Sequence, residues 1–76
     1  MNKPKPRPHE KLRAAMALKG YSQELMAKAI GLSYSAFSLK INGHREFTLS
    51  ECKLIAKELG MTLNDIFLRW MFPKWE

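Results

Sequence analysis

The stretch that decides the fold runs from Ser22 to Gly43, SQELMAKAIGLSYSAFSLKING. Two short segments of helical periodicity flank Gly31-Leu32-Ser33. In the first, Met26, Ala27 and Ile30 recur at the spacing of one helix face, Ser22 stands where an N-cap belongs, and Gln23 and Glu24 fill the first turn. In the second, Phe37 and Ile41 share a face and Ser33 supplies the cap. Asn42-Gly43 then closes the segment with two residues that tolerate left-handed backbone angles. A three-residue turn containing glycine predicts two helices crossing near a right angle. Gly31 suits a positive φ there, and Leu32 suits the corner. An ordinary helical hairpin would use the same turn, so the turn alone leaves the function open.

The same grammar extends in both directions. Upstream, Leu12, Ala15, Met16 and Lys19 have helical spacing, so a helix is predicted from about His9 to Lys19, stopped by Gly20. Downstream, Thr48-Leu49-Ser50-Glu51 matches a capping box. The helix after it faces Leu49, Cys52, Ile55, Ala56 and Leu59 inward and stops at Gly60. Thr62-Leu63-Asn64-Asp65 is a second box-like start, and Leu63, Ile66, Phe67 and Trp70 carry the apolar face toward Pro73. No segment reads as a strand. The predicted class is all-α, a compact five-helix domain over residues 9–70, with residues 1–8 before it and 71–76 as an aromatic tail.

Residues 1–8 alternate Pro4, Pro6 and Pro8 with Lys3, Lys5 and Arg7. Prolines at that spacing forbid a helix, so a flexible basic arm is expected, with Pro8 as the first-turn residue of the first helix. The net charge of +6 is unevenly placed. Residues 1–13 carry +4 and residues 14–47 carry +2, whereas residues 48–76 balance to zero. A polyanionic partner should therefore meet the first two-thirds of the chain.

Seventy-six residues form one domain. A lone Cys52 excludes an internal disulfide and a paired-thiolate metal site, and it suits a reducing cytoplasm. No apolar segment is long enough to span a bilayer, and no targeting signal is visible.

The outer face of the third predicted helix is unusual in a protein with 26% charged residues. Ser35, Ser38 and Leu39 point away from Phe37 and Ile41, joined by Tyr34 at the N-terminal end, and none of the four is charged. Ser and Tyr hydroxyls can bond base edges on the floor of a major groove, and Leu can touch thymine methyls. Lys28, Lys40, His44 and Arg45 flank this face, as a sorting into base and phosphate contacts requires.

At these residues the chain resembles the Cro/phage-repressor, or XRE-type, class of helix-turn-helix domains. The matching text is Gly20-Tyr21-Ser22-Gln23-Glu24, Ala27, Ile30-Gly31-Leu32-Ser33, Phe37-Ser38 and Asn42-Gly43, then Ile55 to Ile66. A weaker similarity, over Lys40 to Thr48, is to small phage-encoded regulators of Gram-positive bacteria. The resemblance implies a lambda-repressor-like five-helix domain whose third helix reads double-stranded DNA. By position, Tyr34, Ser35 and Leu39 match base-reading residues, with Ser38 beside them. Gln23, Asn42, His44 and Arg45 match phosphate contacts, and Lys40 is assigned with them.

Two departures stand out. Many relatives pair Arg on the first helix with Glu on the third, where this chain has Met16 and Ile41, so apolar packing is expected instead. Relatives also often read bases with Gln or Arg; Tyr, Ser and Leu discriminate less per contact, which leaves room for readout of DNA shape.

Cys52 lies on an inward stripe, and His9 and His44 have no clustered ligands, so neither a catalytic residue nor a metal or other cofactor is expected. Phe67, Trp70, Met71, Phe72 and Trp75 crowd the C-terminus beyond what one small protomer readily buries. They are the expected homodimer interface; the alternative is a tail folded over its own core. The predicted function is a transcriptional repressor acting as a homodimer on a palindromic operator. The competing class is a protein-interaction module that keeps the fold without DNA binding. The basic first two-thirds of the chain, with Gln23 and Asn42 in place, favours the first.

Overall fold

Four helices begin on the hydroxyl residues that the sequence offers as caps. The computed structural model describes residues 8–67, and within them the order is α1 (Glu10–Lys19), α2 (Gln23–Ala29), α3 (Tyr34–Ile41), α4 (Leu49–Leu59) and α5 (Leu63–Ile66). No strand occurs among the described residues. Ser22 Oγ accepts from the Leu25 N–H and Ser33 Oγ from the Ala36 N–H, each at 3.1 Å. Thr48 and Glu51 close a reciprocal capping box at 3.1 and 2.9 Å, and Thr62 and Asp65 close another at 3.3 and 3.0 Å. Each cap satisfies backbone donors that no helical carbonyl can reach and contributes about 1 kcal/mol.

The start of α1 differs from expectation. Pro8 is not part of the helix; it precedes the cap residue His9, which takes left-handed angles (φ 55, ψ 44) and makes no side-chain cap bond. A non-glycine residue in this region carries about 1 kcal/mol or more of strain. Packing offsets it. The imidazole meets the rings of Phe47 and Phe67 edge-on, at centroid distances of 5.1 and 6.0 Å, and Phe47 in turn meets Phe37 at 5.7 Å.

The core collects the stripes of all five helices: Leu12, Ala15 and Met16; Met26, Ala27 and Ile30; Phe37 and Ile41; Cys52, Ile55, Ala56 and Leu59; Ile66 and Phe67. Full burial of one such large apolar side chain is worth about 1.5–3 kcal/mol. Leu49, expected inward, is half-buried, and Lys19 is exposed. Phe47, in the α3–α4 loop, was not expected in the core. It is 3% exposed and sits at the centre of the ring cluster.

The fifth helix is shorter than its apolar periodicity predicts. It ends at Ile66, and Phe67 turns extended (φ −129, ψ 156), which lets its ring reach Phe47 at 5.7 Å. Phe67 is 2% exposed, so this residue, assigned to a dimer interface from the sequence, belongs instead to the protomer's own core. Trp70, Met71, Phe72 and Trp75 lie outside the described residues, as do residues 1–7.

Candidate nucleic-acid interface

The turn between α2 and α3 fixes how the third helix is presented. Gly31 adopts φ 78, which an L side chain resists. Its N–H donates to the Lys28 carbonyl, and the Leu32 N–H donates to the Ala27 carbonyl at 2.9 Å. Leu32 packs partly buried against the core, as the corner position requires. With Phe37 and Ile41 turned inward, the opposite face of α3 is left open. Tyr34 is 56% and Leu39 38% exposed, and Ser35 is exposed between them in the first turn. Gln23 opens α2 half-buried, and Lys28 is exposed near its end.

The C-terminal end of α3 is organised by a residue of α1. Arg13 donates from Nε to the Pro8 carbonyl at 2.9 Å, and from one Nη to the Ile41 carbonyl at 3.1 Å and to Asn42 Oδ1 at 2.8 Å. A guanidinium can only donate, so the Asn42 amide must turn its oxygen toward it. Asn42 Nδ2 then donates to Ser38 Oγ at 3.2 Å, which ties the half-buried Ser38 into the same network. A cation beside the last carbonyls of a helix also meets the negative end of its dipole. Met16 and Ile41 are both buried, as their apolar character predicts. The polar link between α1 and the end of α3 is made by Arg13.

Beyond Asn42 the loop is held by backbone bonds. Only Gly43 takes left-handed angles there (φ 83), Asn42 remaining at φ −90. The His44 and Arg45 N–H groups both donate to the Leu39 carbonyl, at 2.8 and 3.2 Å. Both side chains are exposed beside the open face of α3.

Lys40 stands apart from the residues with which it was grouped. Its ammonium bonds both Glu51 oxygens, at 2.5 and 2.6 Å, and the two side chains are only 13% and 15% exposed. Burial alone would raise the Glu51 carboxyl. The bonds from Lys40 and from the Thr48 N–H outweigh it and hold the group below its usual range. Lys40 is therefore engaged within the fold. No periodicity signals such a partner, because Glu51 lies eleven residues away on another helix.

Cys52 has the setting of a structural thiol. Cys52 is fully buried, and desolvation, aided by the Glu51 charge, pushes its thiol up to about 12. Among the described residues, no group of three or more His, Cys, Asp or Glu is placed to hold a metal ion. No helix among them is long and apolar enough to cross a membrane.

The arrangement is a short open-faced helix held against a second helix by a glycine turn. A family-wide pattern described as Helix-turn-helix matches residues 12–66. The chain belongs to the XRE-type helix-turn-helix family. As a member of that family it is a DNA-binding regulator, and the family is regulatory rather than enzymatic. No curated protein and no solved structure gives a significant match to this XRE-type chain. The matched residues begin at position 12. They therefore take in Arg13 and leave out Pro8 and His9, the two residues that set the entry to α1.

Proposed function

We propose that this XRE-type protein is a sequence-selective transcriptional repressor of the phage type, binding a palindromic double-stranded operator as a homodimer. The observation that carries the reading is the open face of α3. Tyr34, Ser35 and Leu39 are exposed and uncharged, while Arg45 and Lys28 are exposed cations around them and His44 is an exposed donor beside Arg45. A solvated helix face in so basic a chain would ordinarily carry charge; a face that enters a groove puts neutral groups against base edges and cations against phosphates.

In this reading Tyr34, Ser35 and Leu39 touch bases, and Ser38 does so while held by Asn42. Gln23, His44 and Arg45 contact phosphates, with the Asn42 backbone alongside. Lys40 is not among them, because Glu51 holds it. An eight-residue helix inspects only about four or five base pairs, which is too few to find one site in a genome. A two-fold dimer doubles the contacts and sets half-sites about one helical turn apart. Trp70, Met71, Phe72 and Trp75 are the residues proposed for that dimer, on the strength of their aromatic density in the sequence.

The test is selection of binding sites from random duplexes, followed by sedimentation of the protein with and without the selected site. The expected result is an enriched palindrome and a dimer on it. Failure to bind any duplex at low salt would sink the reading and favour the interaction-module alternative. Enrichment of a single half-site by a monomer would overturn the dimer.

A further inference from the structure

The direction of the hydrogen bonds running from Arg13 through Asn42 to Ser38 is fixed from one end. Arg13 Nε donates to the Pro8 carbonyl at 2.9 Å, and the same guanidinium donates to the Ile41 carbonyl at 3.1 Å and to Asn42 Oδ1 at 2.8 Å. Three acceptors thus hold one planar group, and none of its nitrogens can accept in return. The Asn42 amide has one acceptor end and one donor end. With Oδ1 held by Arg13, Nδ2 faces Ser38 and donates to its Oγ at 3.2 Å. A serine within a helix often turns its hydroxyl hydrogen back to the carbonyl one turn earlier. Ser38 makes no such bond; among the described residues nothing accepts its hydrogen. Its oxygen is met by Asn42, and its own hydrogen is left over on a half-buried side chain beside the open face of α3.

We propose that Arg13 and Asn42 set Ser38 as a hydrogen-bond donor toward DNA, so that the base it faces is one presenting acceptors in the major groove, guanine first. The inference rests on the DNA-binding reading and deepens it by naming what one position of the site selects. An unconstrained serine hydroxyl rotates and suits donor or acceptor alike. Here one lone pair already has its partner, and the unmet group is the hydrogen. Guanine shows two acceptors on its major-groove edge, N7 and O6. Adenine N7 and thymine O4 offer one each, and cytosine offers only the N4 donor. Docking excludes water, so a hydrogen that finds no acceptor is the costlier mismatch. Cytosine would set hydrogen against hydrogen. Arg13 and Asn42 act in this through Ser38, and they are positioning residues.

Reversing the amide tests this. Asn42→Asp keeps the shape of the side chain, but the carboxylate accepts both from Arg13 and from the Ser38 hydroxyl, which turns a serine lone pair outward. Selection from random duplexes with the intact chain and with Ser38→Ala identifies the base pair that Ser38 reads. Affinities are then measured for duplexes carrying each of the four bases at that position. The intact chain is expected to favour guanine over cytosine about fivefold. Asn42→Asp should bind all four more weakly, because it adds a negative charge near phosphates, yet reverse the order in favour of cytosine or adenine, which present donors. Combined with Ser38→Ala, the same substitution should weaken all four alike. Arg13→Met frees the amide to turn either way and should reduce the preference to less than about twofold. An intact chain that favours cytosine there, or a Ser38→Ala chain that relaxes no position, would overturn the proposal. Both outcomes are read without altering Asn42, so they decide the matter even if Asn42→Asp melts below the assay temperature. An unchanged order in Asn42→Asp, or a full preference in Arg13→Met, would overturn it as well. An intact chain that binds no duplex removes this inference together with the reading beneath it.

Discussion

The Lys40 ammonium and the Glu51 carboxylate join α3 to the first turn of α4, both side chains mostly withdrawn from water. Glu51 also accepts the Thr48 N–H at 2.9 Å, so one carboxylate serves an ion pair and a capping box. Removing the lysine leaves a poorly solvated anion, while removing the glutamate loses pair and box together. Lys40→Met is expected to cost about 1–2 kcal/mol and Glu51→Ala somewhat more, measured by thermal or urea unfolding. The salt slope of DNA binding should change little with Lys40→Met, in contrast to Arg45→Ala. Because the folded carboxyl titrates below its unfolded value of 4.5, this stabilisation is present above that pH and is lost as pH falls through the folded value.

His9 gives a dependence of the same sign from a base, in a higher pH window. Burial among Phe47, Phe67 and the α1 start, together with the charge of Arg13, lowers its pKa from 6.5. The folded state therefore prefers the neutral ring. Stability is complete above about pH 6.5, declines as the unfolded chain takes up its proton, and levels off below the folded pKa. Melting temperatures from pH 8 to 5 should show the decline in the native chain. His9→Asn, which tolerates left-handed angles, should abolish it. An unchanged pH profile in that variant would assign the dependence elsewhere.

Cys52 should behave as a core residue. Its thiol, pushed up to about 12 and fully buried, is expected to resist alkylation at pH 8 until the domain unfolds. Mass spectrometry of iodoacetamide-treated protein with and without urea reads this directly. Cys52→Ala should cost about 1 kcal/mol, and Cys52→Ser about 2–3, because a buried hydroxyl there lacks a partner.

The open face of α3 and its rim should separate in a binding assay. Tyr34→Ala and Leu39→Ala are each expected to lose about 1–3 kcal/mol on the selected site and to relax preference at particular base pairs. Arg45→Ala should weaken all duplexes alike and reduce the salt slope by about one. A uniform loss from Tyr34→Ala would place that ring on the backbone instead.

How much of this was legible in the sequence follows from the range of each interaction. The caps at Ser22, Ser33, Thr48 and Thr62 are made by atoms three residues apart, so local text specifies them completely. The inward stripes were legible for the same reason. Arg13 to Asn42, Lys40 to Glu51 and the Tyr21 hydroxyl to Glu58 join segments 11 to 37 residues apart in the chain, and no local pattern names the partner. Phe47 was missed because it lies in a loop, outside any periodicity that would mark it inward. Phe67 reads both as part of the apolar face of the fifth helix and as the start of the aromatic run Phe67–Trp75; only its extended backbone angles, which no local pattern announces, turn its ring into the core. The uncharged face of α3 was visible in advance, since helical spacing alone separates Tyr34, Ser35 and Leu39 from Phe37 and Ile41.

The edge-on contact of His9 with Phe67, at 6.0 Å, brings the first and last described turns of the domain side by side. A domain whose entry and exit adjoin can be spliced into another chain without prying it open, and it can be cut and rejoined in a new order. A short glycine bridge from Phe67 to Pro8, with new ends opened at the exposed Gly60, would give a permuted domain that keeps all of α1 to α4 in one piece. It would also present α3 with neither natural end attached, as a bare helix-turn-helix cassette for fusion to other modules.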